Sequence, residues 1–225
     1  MFSLTKTSLI LTLALQTALS HPLLSKRTDA EVHSMISALK VIAPTSQSCD
    51  QSTPLHDQCR TAEQAAKPIL QSFELYELTS TAEKAAVVSI MAYESGEFKY
   101  DVNLAHPHTG QGTRNMQSPA FNKKFAESID GLRDLVRNVD PETILAYLNG
   151  EDDFSFGSAA WFLTTQCDEG TRNGLKNAAA GQEGQAYRAY LNNCVGIGPD
   201  AMQTQGEKRM KYFNDALEQF KKAGF

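Results

Sequence analysis

A single acidic residue, Glu94, stands where an apolar segment of the sequence meets a polar one. Ala86, Ile90 and Met91 precede it at helical spacing, whereas residues 95–118 contain glycine and polar residues without a helical period. A carboxyl group between an apolar wall and a polar groove can stay protonated near neutral pH, because burial disfavours its charged form. Such a group can protonate the leaving oxygen of a glycosidic bond. Glu94 is therefore our candidate general acid for glycan cleavage.

A second carboxylate would decide the reaction type. The candidates are Asp101, in the segment after Glu94, and Asp152, before the apolar segment 155–166. An inverting hydrolase holds its two carboxyl groups roughly 6.5–9.5 Å apart, which leaves room for the attacking water. A transglycosylase needs no second carboxylate, since a hydroxyl of the sugar itself attacks. The sequence leaves both reactions open, and Asp152 also fits a solvated turn or a helix cap.

The residues that follow Glu94 resemble, in order, the catalytic region of lytic transglycosylases. In that family Ser follows the acid directly and Phe lies close behind, and this sequence has Ser95 and Phe98. Further on, the family has Gly-Leu-Met-Gln and then Pro, which correspond here to residues 114–117 and Pro119. Met and Gln match, whereas Arg-Asn stands in place of Gly-Leu.

Two further motifs extend this resemblance along the chain. A small residue before an aromatic-Leu pair corresponds to Ala159 and residues 162–163, and a late Tyr corresponds to Tyr190 or Tyr187. Residues 80–195 are thus similar to the catalytic domain of lytic transglycosylases, which is like goose-type lysozyme and belongs to the lysozyme-like superfamily.

The resemblance implies roles for five residues. It makes Glu94 the general acid, with a second role as base, and it makes Gln117 a donor to amide or hydroxyl groups of the sugar. Met116 and Tyr190 would line the groove, and Ser95 would bind the substrate beside the acid.

Helix signals indicate which elements position these residues. Capping boxes at Thr28 and Ser80 predict a first helix to Ile42 and a third helix that ends at Glu94. The other predicted helices span residues 59–78, 119–136, 140–149, 155–166 and 182–194, with a last helix from a capping box at Thr204. We therefore expect a mainly α, lysozyme-like single domain over residues 28–225, with a small loop or β insertion after the third helix.

The N-terminal segment has the features of a secreted protein. An apolar run behind Lys6, followed by small residues, predicts that residues 1–20 are a secretory signal peptide. Residues 21–27 end in a dibasic pair and are a candidate propeptide of fungal type, so the mature, extracellular chain would begin at Thr28.

The charge of the mature chain limits its partners. Without the first 27 residues, 18 basic residues face 26 acidic ones, and the formal net charge changes from −5 to −8. Such a surface argues against a nucleic acid or an anionic membrane as partner. We expect a monomer whose partner is a polysaccharide substrate.

Four cysteines, an even number in a secreted chain, predict two disulfides. Three connectivities are open, and we favour Cys49–Cys59 with Cys167–Cys194 because each closes a local segment that contains turn residues. No metal or other cofactor is expected, since His106 and His108 have no third ligand at a metal-binding spacing.

The leading hypothesis is a secreted muramidase or lytic transglycosylase-like enzyme that cleaves a β-1,4-linked aminosugar polymer such as peptidoglycan. A chitosanase-like glycoside hydrolase is an alternative, because a cationic polymer suits a net charge of −8. A secreted glycan-binding or effector protein without catalysis is the third reading, because the residues before Met116 depart from the family pattern.

Overall fold

The computed structural model describes residues 28–53, 55–104 and 109–225. The predicted signal peptide and propeptide, together with His106 and His108, lie outside these residues. Within them the chain is mainly helical and forms no strand, which confirms the predicted class. The helices are α1 (Asp29–Ile42), α2 (Ala62–Leu75), α3 (Thr81–Glu94), α4 (Pro119–Ser128), α5 (Pro141–Asn149), α6 (Asp152–Thr165), α7 (Glu169–Lys176), α8 (Glu183–Tyr190) and α9 (Pro199–Ala223).

Side-chain caps start α1 and α3 where the sequence predicts them. The side chain of Thr28 accepts a hydrogen bond from the Glu31 N–H, and the Glu31 carboxylate accepts one from the Thr28 N–H. Ser80 and Glu83 form the same capping box at the start of α3. These bonds satisfy N–H groups that have no partner inside the helix. Helix α3 ends at Glu94, as predicted.

Helix α6 is the central element of the fold. Residues 155–163 are all buried, as expected for a helix whose apolar residues cover more than one face. Ala159, Ala160 and Leu163 belong to one apolar cluster, formed mainly with α1, α2, α3 and α9. Trp161 and Phe162 belong to a second cluster, formed with α4 and α5. One helix therefore joins the two parts of the core.

Both predicted disulfides are present, Cys49–Cys59 and Cys167–Cys194. The first closes a loop before α2, and the second joins the end of α6 to the end of a π-helical turn, Leu191–Val195, that continues α8. Such bonds form and persist in oxidising compartments, which fits an extracellular protein. In the part of the chain that the structure describes, no helix is long and apolar enough to cross a membrane.

Two predicted helix bounds were wrong, and one helix was not predicted. Helix α4 ends at Ser128 rather than near residue 136, and its apolar pattern continues through turns in which Leu132 and Val136 are still buried. Helix α7 was not predicted. Helix α9 begins at Pro199, whose fixed φ suits a first helical position, and Thr204 lies inside the helix with its hydroxyl donating back to the Asp200 and Ala201 carbonyls.

The segment after α3 is an irregular loop. The small insertion predicted after the third helix forms no strand in its described part, where Val102 pairs with Gly112 and Gly112 with Gln117 through isolated bridges. At Gly112 an added Cβ would lie 2.3 Å from the Asp101 carbonyl oxygen, so the close approach of these two chain segments requires glycine there.

Candidate functional site

Glu94 lies in a groove of about 350 Å³, to which the loop after α3 contributes one wall. Met116, Gln117 and Tyr190 line the same groove. The four residues come from α3, the loop and α8, so the fold brings together candidates that are far apart in sequence. Their side chains differ in accessibility, since Tyr190 is almost fully buried whereas the Glu94 side chain is 22% exposed.

Apolar side chains also line the groove. They are supplied by α3, α4, α6 and the segment after α8, and they are Ile90, Phe121, Phe162, Val195 and Ile197. The rings of Phe121 and Phe162 meet edge to face with centroids 4.9 Å apart, which fixes their orientation. A mixed apolar and polar groove of this volume is typical of small-ligand sites.

The sequence analysis missed the residue that contacts Glu94 most closely. Arg209 of α9 places Nη1 2.7 Å from Glu94 Oε1, and its side chain is 4% exposed. Its guanidinium also lies 3.9 Å from the centroid of the Tyr93 ring, an arrangement that stabilises the cation over the aromatic face. No local signal identified Arg209, because its helix lies more than a hundred residues from Glu94 in the chain.

The contact between Glu94 and Arg209 is an ion pair with incomplete hydrogen bonding. Arg209 Nε and Nη1 are buried and have no aligned hydrogen-bond acceptor in the described residues, and Nη2 donates to Gln205 at 3.4 Å. The guanidinium therefore depends on the Glu94 carboxylate for charge compensation. This corrects the expectation of a purely apolar wall behind Glu94.

Ser95 does not reach the groove. It is fully buried, and its hydroxyl donates to the Met91 carbonyl and accepts a hydrogen bond from the Phe98 N–H. These bonds close the end of α3 before Gly96, Glu97 and Phe98, which all have positive φ. Ser95 is thus a structural residue of the turn that follows Glu94, and its position does not support the predicted contact with substrate.

Glu97 holds the same turn in place. Its carboxylate accepts hydrogen bonds from the backbone and hydroxyl of Thr45 and from the Tyr212 hydroxyl. Burial raises the pKa of Glu97, but the hydrogen bonds from Thr45 and Tyr212 outweigh it and the pKa is lowered overall. A non-glycine residue with positive φ is costly, and these three bonds compensate for that cost.

Arg114 anchors the loop that carries Met116 and Gln117. Its side chain is fully buried and donates to the carbonyls of Phe98, Tyr100 and Gln58. Burial lowers the pKa of Arg114 to about 10, although Asp101 opposes this. This arginine, which stands where the transglycosylase motif has glycine, therefore joins the two ends of the loop to each other and to the segment before α2.

The two candidate second carboxylates lie outside the Glu94 groove. Asp101 is buried beside Arg114 and lines a different cavity, and burial raises its pKa while Arg114 opposes the rise. Asp152 pairs with Arg60, with Nε 2.7 Å from Oδ1. The positions of Asp101 and Asp152 therefore do not support a role for either as the catalytic partner of Glu94. Among the described residues that line the groove, Glu94 is the one carboxylate.

The side chain of Gln117 is hydrogen-bonded to its neighbours in the wall of the groove. Its Nε2 donates to Asn122 Oδ1, and Asn122 in turn donates to the carbonyls of Gly110 and Gln117. Its Oε1 accepts a hydrogen bond from Asn115. The predicted donor to the sugar is thus already part of a network that shapes the loop, and one of its two N–H groups has its partner there.

We expect Gln117→Ala to lower the free energy of unfolding by about 1–3 kcal/mol, because Asn122 Oδ1 would remain buried without its donor. Urea denaturation measures this change. Ser118→Ala is the matched control, since Ser118 makes no capping hydrogen bond and its loss should change stability by less than about 0.5 kcal/mol. Unchanged stability of Gln117→Ala with strongly reduced activity would show instead that Gln117 acts on the ligand.

Among the described residues, no group of three His, Cys, Asp or Glu side chains is spaced to hold a metal ion. The fold and the groove thus define a disulfide-bonded, mainly helical domain with one ion-paired carboxylate at its candidate site.

A segment of a much longer protein is similar to this chain. A protein of Fusarium oxysporum (strain Fo5176), described as a bifunctional dioxygenase (DOX)-epoxy alcohol synthase (EAS), is 35% identical over 184 residues. These residues are 75% of this chain and 13% of that protein, so the chain spans about an eighth of its relative's length. No family model and no solved structure matches the chain.

Proposed function

We propose that this protein is a secreted enzyme that cleaves a β-1,4-linked aminosugar polymer such as peptidoglycan, with Glu94 as proton donor. The observation that carries this proposal is the convergence of Glu94, Met116, Gln117 and Tyr190 on one groove. The sequence pattern named these residues for their order along the chain, independently of their position in space. Motifs that matched by their order in the sequence alone would not need to place these four side chains in the same groove.

The ion pair adds a condition to the mechanism. A carboxylate paired with a guanidinium accepts hydrogen bonds and has no proton to give. Proton donation by Glu94 therefore requires the bound glycan to separate its carboxyl group from Arg209, whose Nη1 lies 2.7 Å away in the free protein. After cleavage the same carboxylate serves as base, and Arg209 compensates its charge again.

The groove favours a transglycosylase over an inverting hydrolase. Inversion needs a second carboxylate on the far side of the scissile bond to activate water. Glu94 has no such partner among the described residues that line the groove. Attack by a hydroxyl of the sugar needs only one group that acts first as acid and then as base.

Mass spectrometry of the products tests the proposal. Purified mature protein is incubated with peptidoglycan, and soluble fragments are collected over time. Fragments that end in an anhydro sugar, one water lighter than hydrolysis products, are expected from a transglycosylase. Hydrolysed ends would support a hydrolase, and the absence of fragments from peptidoglycan and chitosan alike would contradict enzymatic cleavage.

A glycan-binding protein without turnover is the second candidate. The ion pair favours it, since Arg209 occupies the carboxylate that would otherwise be available for chemistry. The activities in the description of the Fusarium protein are not transferred to this chain, because the shared segment is 13% of that protein.

Secretion is part of the same proposal. The two disulfides require an oxidising compartment to form and persist. Cleavage after the dibasic pair would make Thr28 the first residue, and Thr28 is the residue that caps α1.

A further inference from the structure

The charge inside the groove differs from the charge of the whole chain. The chain is acidic, with a net charge of −5 that becomes −8 after the proposed processing. In contrast, the described residues that line the groove include one acid, Glu94, and one base, Arg209. These two charges are in contact, so the floor of the groove is close to neutral.

Arg209 cannot easily leave this position. It is 3% exposed, and the face of Tyr93 covers its guanidinium at 3.9 Å. Its Nε and Nη1 have no aligned hydrogen-bond acceptor in the described part of the chain, so removal of the Glu94 charge would leave a buried and uncompensated cation. The positive charge beside Glu94 is therefore a permanent property of the groove.

A fixed buried cation affects which aminosugar can bind. The free amine of glucosamine is protonated at mildly acidic pH, and its approach to Glu94 would bring it close to the Arg209 guanidinium. The Glu94 carboxylate would attract this ammonium and the Arg209 guanidinium in contact with it would repel it, so the ion pair gives the amine little net attraction to offset its desolvation. An N-acetylated sugar carries no charge and avoids this repulsion.

The rest of the groove suits an acylated sugar. Gln111, Asn115 and Gln117 provide amide groups, and each is anchored by hydrogen bonds within the loop. Phe121 and Phe162, whose rings are in contact, add an apolar surface to the same groove. An acetamido group combines an amide and a methyl group, whereas an ammonium group can use only acceptors.

We propose that Arg209 is a specificity-determining residue that makes the groove select N-acylated over free-amine aminosugars. The inference rests on the proposed function in so far as the groove is an aminosugar site, but it concerns binding and does not require cleavage. This selectivity would also argue against a chitosanase-like hydrolase, the alternative that the net charge of −8 favoured.

The experiment compares binding of two matched ligands, N-acetylglucosamine oligomers and glucosamine oligomers of equal length, by calorimetry at mildly acidic pH and low salt. Arg209→Met removes the groove cation. Lys208→Met is the matched control, because it removes an equal charge from the neighbouring position of α9, where the side chain is exposed and does not line the groove. Arg209→Lys keeps the charge without the guanidinium.

We expect the parent protein to bind the N-acetylated oligomer at least about tenfold more tightly than the amine oligomer. Arg209→Met should reduce this ratio about tenfold through a gain in affinity for the amine, which is then free to pair with Glu94. Lys208→Met and Arg209→Lys should leave the ratio close to that of the parent. Thermal melts establish that each variant is folded.

If Arg209→Met does not fold, a variant expected to change the ratio of the two affinities in the opposite direction still tests the inference. Glu94→Gln leaves Arg209 without its counter-charge, so the ratio should rise rather than fall. The proposal is overturned if the parent binds the amine oligomer as tightly as the acetylated one, if neither oligomer binds, or if the Arg209 and Lys208 variants behave alike.

Cleavage measured on the same preparations separates the two proposals. Selective binding without any cleavage would support the role of Arg209 and contradict the enzymatic function. Cleavage of peptidoglycan without discrimination between the two oligomers would support the enzymatic function and contradict the role of Arg209.

Discussion

We expect Glu94→Gln to lower the rate of glycan cleavage by about 10²–10⁴-fold, the contribution of a positioned general acid. Glutamine keeps the shape and the hydrogen-bonding reach of the side chain but has no transferable proton. The rate of fragment release from peptidoglycan at saturating substrate measures the loss. Binding of the N-acetylated oligomer should remain, because the uncharged contacts of the groove are unchanged.

The ion pair determines how this variant must be handled. Arg209 would face an amide in place of a carboxylate, so we expect a loss of about 1–2 kcal/mol in unfolding free energy, less than for a fully buried pair because Glu94 is 22% exposed. Assays are therefore run well below the melting temperature of the variant.

The matched control for Glu94→Gln is Asp152→Asn. It also neutralises a partly exposed carboxylate paired with an arginine, but Asp152 lies outside the groove. Its activity should stay within a few-fold of the parent. A folded Glu94→Gln protein with activity near that of the parent would exclude Glu94 as the acid.

We expect Arg114→Met to have the largest effect on stability, a loss of about 3–5 kcal/mol in the free energy of unfolding. Methionine fills much of the same space, but the carbonyls of Phe98, Tyr100 and Gln58 lose their donor and Asp101 loses its buried partner. Urea denaturation of parent and variant measures the change.

Two further variants are compared with Arg114→Met to identify the cause of its loss of stability. Arg114→Lys keeps the charge but cannot serve three carbonyls with a planar group, so an intermediate loss is expected. Arg133→Met removes an exposed arginine whose partner Asp130 lies three residues away, and its effect should be below about 1 kcal/mol. Equal losses for Arg114→Met and Arg133→Met would contradict the anchoring role of Arg114.

The sequence predicts those parts of the fold that depend on neighbouring residues. Thr28, Ser80 and Asp140 cap their helices with partners three residues away, and each start is found where it is expected. The cysteine pairs are also local in sequence, and both are confirmed. In each case the physical cause lies within a short segment.

Contacts between distant segments could not be predicted in this way. The sequence identifies Glu94 but does not reveal Arg209, because nothing near either residue indicates the other. Ser95 was assigned to the substrate by its place in a motif, whereas its hydroxyl bonds within the turn. Arg114 looked like a departure from a glycine pattern, and its function as an anchor becomes visible only with the carbonyls around it.

The position of α9 has a consequence for how the molecule matures. This helix packs against α1 and α3, and it delivers Arg209 to a groove whose other residues precede it in the chain. During synthesis Glu94 therefore emerges well before its counter-charge, and the groove stays incomplete until the last helix has docked. Such contacts between distant segments form slowly, because chain entropy must be lost before they are gained. Competence to recognise a ligand would thus appear late in folding, together with the docking of α9 onto the core.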